Sequence, residues 1–233
     1  SSIIDNLDLK DIENIFVYDT GLSEETREKY ELFDKVSVIS SGIVTGSDTE
    51  VHGQTWQENV YSKAKLLKHC VESQEDFCPT VMVDADSVFI KEFFHLINLE
   101  SQITLCKRSP RGRAKGHIST SSHIGSFFSI NEKSDQTMKF LNSWIEKIEK
   151  ASDRHPLTGA YMAKESPSLS ATYEEYKGEM RVEDLPEPII SNIEMLPPKE
   201  AVIYHLKSDA GYMTVETRTL QPRMRYYTQR YLA

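Results

Sequence analysis

The stretch VMVDADSVFI, residues 81–90, runs three apolar residues into Asp84-Ala85-Asp86 before apolar residues resume. Aspartate disfavours strands and is costly to bury, so two carboxylates at the end of an apolar run call for a reason. Alternation points residues i and i+2 the same way from a strand, which would let Asp84 and Asp86 grip one hard cation. Oxygen ligands suit Mg²⁺ or Mn²⁺, ions that commonly accompany a diphosphate. The plainer alternative is that Asp-Ala-Asp starts a turn and caps a following helix. A second candidate is His205, which follows the apolar run AVIY and should therefore sit at a strand end. Taken alone, it reads first as a structural histidine.

Strands and helical patterns alternate around these residues. IFVYDTG (15–21) and VSVIS (36–40) read as strands flanking a helix, SEETREKYELF (23–33). Ser23 is a good N-cap, and Glu24 and Glu25 put negative charge where the helix dipole favours it. A Gly/Ser/Thr-rich loop leads to a helix over about 56–73, followed by the strand TVMVD. FFHLINL (93–99) reads as a helix, ITLCK (103–107) and HIGSFFSIN (123–131) as strands, and SDQTMKFLNSWIEKIEK (134–150) as an amphipathic helix. Residues 3–14 read as a short helix. The pattern predicts an α/β domain, Rossmann-like, with a mainly parallel central sheet flanked by helices.

Composition narrows the class. The 233 residues are 39% hydrophobic and 27% charged, as in an ordinary soluble globular domain. No apolar run approaches the roughly 20 residues of a membrane span. A net charge of −9 argues against general nucleic-acid binding. Cys70, Cys78 and Cys106 leave one thiol unpaired and lack metal-ligand spacing, and no Asn-x-Ser/Thr site occurs, which together point to a reducing, cytoplasmic setting. Two basic features stand out. KRSPRGRAKGH (107–117) reads either as a loop that folds over an anionic ligand or as solvated surface. The tail over 216–233, with Arg218, Arg223, Arg225 and Arg230 among tyrosines, is expected to pack on a domain over 1–215. The other reading lays it on an anionic membrane as a peripheral contact with its inner face.

Four stretches in order resemble the GT-A glycosyltransferases, the nucleotide-diphospho-sugar transferase family. IFVYDTGLSEE resembles a strand and turn common in that group, and YSKAKLLKHCVES (61–73) its helix with a basic residue facing the nucleotide sugar, here Lys63. VMVDADSVFI is similar to the D-x-D strand, and SSHIGSFFSINEKS (121–134) to the turn and strand beneath the acceptor. A fifth, VIYHLKS (202–208), resembles the segment whose histidine, here His205, is a third metal ligand. SDRHPLTGAYM (152–162) is similar to a later acidic helix start, which makes Asp153 a catalytic or acceptor-side carboxylate. Departures exist. Nothing before residue 14 reads as the family's first strand, so the chain is expected to be a trimmed segment. His123 and Ile124 stand before Gly125, where the family often has Asn.

The resemblance implies a hexosyltransferase-like enzyme that moves a sugar from a nucleotide-diphosphate donor to a glycan or lipid-linked acceptor. Mn²⁺ or Mg²⁺ on Asp84, Asp86 and His205 would neutralise charge on the diphosphate leaving group. Lys63 and Lys207 would add positive charge at the donor, with Asp84 also touching it. Two alternatives stay open. A sugar-nucleotide nucleotidyltransferase would show a Gly-rich phosphate loop, and a non-catalytic nucleotide- or carbohydrate-binding relative would keep the fold without turnover.

Overall fold

A computed structural model describes residues 11–40, 54–84, 87–108, 121–152, 164–191 and 199–205. The helix expected before residue 14 falls largely outside these residues. So do the loop after Ser40, most of the basic loop, the 153–162 segment and the tail.

The first unit is β1 (Ile15–Asp19), α1 (Glu24–Glu31) and β2 (Val36–Ser40), with β1 and β2 parallel and Ile15 opposite Val36. Its turn is built from the predicted residues. The Asp19 carboxylate accepts from the Gly21 and Leu22 N–H groups at 2.8 and 2.7 Å and pairs with Arg27. Gly21 has φ 133°, a backbone setting that L-residues with a Cβ resist. Ser23 Oγ accepts from the Thr26 N–H, as an N-cap should.

After α2 (Gln54–Glu72), β3 (Thr80–Val83) enters a four-stranded sheet ordered β3-β6-β5-β7. Here β5 is Ile103–Lys107, β6 is His123–Ile130 and β7 is Val182–Pro186. β5 and β7 are parallel, whereas β6 runs antiparallel to both β3 and β5, so the sheet is partly parallel. A second sheet is ordered β4-β9-β8, from Ser87–Phe89, Ile203–His205 and Ile190–Ser191.

β6 is buried along its whole length because both of its faces are covered. Phe128 and Ile130 join Phe140, Leu141 and Trp144 of α3 (Asp135–Lys150), together with Leu169 of α4 (Glu165–Tyr176). Phe127 and Ile124 instead join Phe89, Ile190 and Ile203 of the second sheet. α3 is amphipathic as expected, and its N-cap Ser134 accepts from the Thr137 N–H.

FFHLINL forms only a single 3₁₀ turn, Phe94–Leu96, rather than a helix. Its aromatic and branched residues are poor helix formers. Ile97 turns extended, and the Asn98 side chain then accepts from the Glu100 N–H in a turn of its own. No helix among the described residues is long and apolar enough to cross a membrane.

Candidate active site

The chain leaves the four-stranded sheet at Asp84 and joins the second sheet three residues later at Ser87. The Asp84 N–H donates to the Ser126 carbonyl at 3.4 Å, the last rung of the β3–β6 ladder, while Ser87 N–H donates back to the Asp84 carbonyl at 3.0 Å. Asp84 therefore does begin a turn, but the turn leads into a strand rather than capping a helix. Ser87 lies directly opposite His205 in the β4–β9 pairing. That register brings two residues far apart in the chain together, with His205 Nε2 3.3 Å from Asp84 Oδ2. His205 ends its strand, as its apolar lead-in predicts, and its side chain is 8% exposed.

Asp84's other oxygen faces α2. Lys63 Nζ lies 2.6 Å from Asp84 Oδ1 and 3.3 Å from Glu165 Oε1. Burial pushes the ammonium toward its neutral form, but the charges of Asp84 and Glu165 outweigh that effect and hold Lys63 above its ordinary value. Arg108 also acts electrostatically on Glu165. Burial pulls its guanidinium below the usual range, while Glu187, the Cys106 thiol and Glu165 act the other way. Lys107 and Arg108, read from sequence as the start of a loop, are thus built into the fold. Lys107 ends β5, and the Arg108 N–H bonds the Ser122 carbonyl at 2.7 Å.

Two further polar atoms stand near this group. Asn59 precedes Lys63 by four residues and so shares its face of α2, and Ser126 is the strand partner of Asp84. Among the described residues, Asn59 Oδ1 and Ser126 Oγ are buried without a hydrogen-bond partner. Buried acceptors and hydroxyls are normally satisfied, so both are suited to a polar ligand.

Of the six residues singled out from sequence, Lys63, Asp84 and His205 converge. Asp86, Asp153 and Lys207 lie outside the described residues. No three His, Cys, Asp or Glu side chains gather into a metal site among the described residues. The donor set of Asp84 and His205, a carboxylate and an imidazole on adjoining strand ends, does fit a divalent first-row cation. Glu165 was missed by the sequence reading. Its one local signal is an acid in the first turn of a helix, a position that normally needs no functional explanation.

No family model and no curated protein matches the chain. Solved structures do resemble it. One is a glycosyltransferase involved in the glycosylation of the major capsid of PBCV-1, with a TM-score of 0.49 and 10% identity over 84% of this chain and 95% of that one. Another is the glycosyltransferase GlyE of Streptococcus pneumoniae, with a TM-score of 0.50 and 12% identity over 91% of this chain. The match covers 52% of GlyE, so this chain spans about half of GlyE's length. At such identity the likeness speaks for architecture. The chain is built on the α/β fold that GlyE, a glycosyltransferase, also has.

Proposed function

We propose that this protein is a metal-dependent glycosyltransferase. It moves a hexosyl group from a nucleotide-diphosphate sugar to a glycan or lipid-linked acceptor. The observation that carries this reading is the meeting of Asp84, His205 and Lys63 where the two sheets join. In open α/β sheets, ligands bind beyond the ends of strands, and both Asp84 and His205 stand at such ends.

Asp84, Asp86 and His205 would hold Mn²⁺ or Mg²⁺, which supplies positive charge against the diphosphate as the anomeric C–O bond breaks. Lys63 contributes a charge held in place by its carboxylate partners, so little reorganisation is needed when charge develops nearby. Asn59 and Ser126 offer hydrogen bonds to the polar donor. Lys207 would supply a second cation at the donor, and Asp153 would serve the acceptor side. The three free thiols, Cys70, Cys78 and Cys106, support a reducing, cytoplasmic setting.

Calorimetric titration of uridine and guanosine diphosphate sugars with and without Mn²⁺ tests the reading. Mn²⁺-dependent binding, followed by donor hydrolysis or transfer, is expected. Binding without any turnover would place the protein with the non-catalytic relatives, and no binding would refute the donor site.

A further inference from the structure

Lys63 is held by two carboxylates of different kinds. Asp84 arrives from the end of β3, and Glu165 from the first turn of α4. The Glu165 carboxylate occupies space that only a glycine leaves open. A Cβ at Gly125 would lie 1.7 Å from Glu165 Oε1 and 2.6 Å from its Cδ. The backbone of β6 is thus the floor beneath this carboxylate, and any side chain at 125 would displace it. The Glu165 side chain is 10% exposed, with Lys63 at 3.3 Å and the Arg108 charge also acting on it. A carboxylate so enclosed is tolerated only when cations answer it.

The two holders of Lys63 face different demands. A divalent cation on Asp84 competes with the ammonium that already sits 2.6 Å from Oδ1. Glu165 reaches Lys63 from the first turn of α4 and is not one of the residues read as cation ligands. We infer that Glu165 is a positioning residue that keeps Lys63 seated in the donor site while Asp84 is engaged by a cation, and that glycine at 125 is required for it. This inference rests on the reading of Asp84 as a cation ligand. It makes Lys63 a charge that passes from Asp84 to the incoming diphosphate without leaving the site.

The first test needs no ligand. The folded chain is labelled briefly with acetic anhydride, and modification of Lys63 is measured by peptide mass spectrometry against the exposed Lys29 and Lys150. Lys63 should be protected in the wild type and should stay protected in Asp84→Asn, because Glu165 still holds it. Adding Glu165→Gln should raise its labelling about tenfold, the order of one lost interaction with a charged group. Adding Gly125→Ala instead, which keeps the carboxylate but displaces it, should do the same. Full labelling in Asp84→Asn alone, or continued protection in Asp84→Asn/Glu165→Gln, would overturn the inference.

The second test is titration of UDP with Mn²⁺. Glu165→Gln should weaken affinity about tenfold in the wild-type background and not at all in Lys63→Ala. Additive losses would assign Glu165 a merely structural role. A wild-type protein that binds no nucleoside diphosphate with Mn²⁺ refutes the donor site, an outcome separate from the ligand-free labelling pattern.

Discussion

In one charged cluster a cation, Lys63, lies between two carboxylates; in another a carboxylate, Asp184, lies among three donors. Asp184 Oδ1 accepts from His123 Nε2 at 3.0 Å, and its Oδ2 accepts from Lys107 Nζ at 2.9 Å and Tyr173 Oη at 3.3 Å. The His123 ring is fully buried, packs 4.1 Å from the Tyr173 ring centre, and meets Ser122 Oγ through Nδ1 at 3.0 Å. This second cluster ties β5, β6, β7 and α4 together, and each of its named polar groups has a partner within it. The first contains a glycine-shaped seat and, among the described residues, polar atoms without partners at Asn59 and Ser126. A satisfied network stabilises a fold, whereas an unbalanced one is the kind that a ligand completes.

Substitution of one aspartate in each cluster should separate these roles most sharply. Asp84→Asn removes a charged oxygen but little volume, and Glu165 remains to pair with Lys63. Mn²⁺-dependent affinity for a nucleoside diphosphate should fall by more than the about 10–100-fold expected for loss of an outer-shell partner. Thermal stability should change little. Asp184→Asn should do the reverse, lowering stability by about 2 kcal/mol through the broken buried hydrogen bond and leaving diphosphate affinity unaltered. Equal effects of the two variants on affinity would dissolve the distinction between the clusters.

His205→Ala should weaken Mn²⁺ binding by at least the about 10–100-fold expected for loss of an outer-shell partner. His123→Ala, at a histidine that is likewise buried, should leave Mn²⁺ affinity alone while destabilising the fold. Metal titration followed by a melting curve on each variant separates the two histidines. If His205→Ala only lowers the melting temperature, His205 belongs with the structural cluster.

Much of the fold was legible because its signals are local. Ser23, Gly21 and the acidic first turn mark α1, Ser134 and a regular apolar stripe mark α3, and the apolar run before His205 marks a strand end. The convergence of Asp84, His205 and Lys63 was legible only through the resemblance, since no local pattern links residues on three separate elements. Glu165 and Gly125 were not legible. Their contact joins a helix start to a mid-strand glycine forty residues earlier, and a missing Cβ leaves no periodic trace. The antiparallel course of β6 was hidden for a similar reason. A strand buried on both faces shows a continuous apolar run whichever way its neighbours point.

The clusters should also differ along the pH axis. Burial raises the pKa of Asp184, but hydrogen bonds and charge from His123 and Lys107 prevail and lower it to about 2. A carboxylate depressed in the folded state stabilises above its ordinary value near 4 and loses that contribution as pH falls through the folded value. The wild type should therefore lose about 2 kcal/mol between roughly pH 4 and pH 2 on account of this group, and Asp184→Asn should lack that part of the loss. Lys63 behaves oppositely. Its raised value means that its contribution is intact below the ordinary lysine range and fades only as pH rises beyond it. Denaturation midpoints measured across the acid limb in wild type and Asp184→Asn test the assignment.

Lys107→Ala should have the smallest effect, and it decides which donor governs Asp184. The Lys107 side chain is 51% exposed, so its ion pair works through water and gains little after its own side-chain entropy is spent. His123, by contrast, is fully enclosed, and its hydrogen bond acts where water cannot substitute for it. Lys107→Ala should therefore cost no more than about 0.5 kcal/mol at neutral pH. It should also leave most of the acid-limb loss in place, because the hydrogen bond from His123 persists. Added salt should shrink even this small difference between wild type and Lys107→Ala, since screening acts mainly on the exposed partner. An acid limb flattened as fully by Lys107→Ala as by Asp184→Asn would mean that the surface lysine, rather than the buried ring, keeps Asp184 charged.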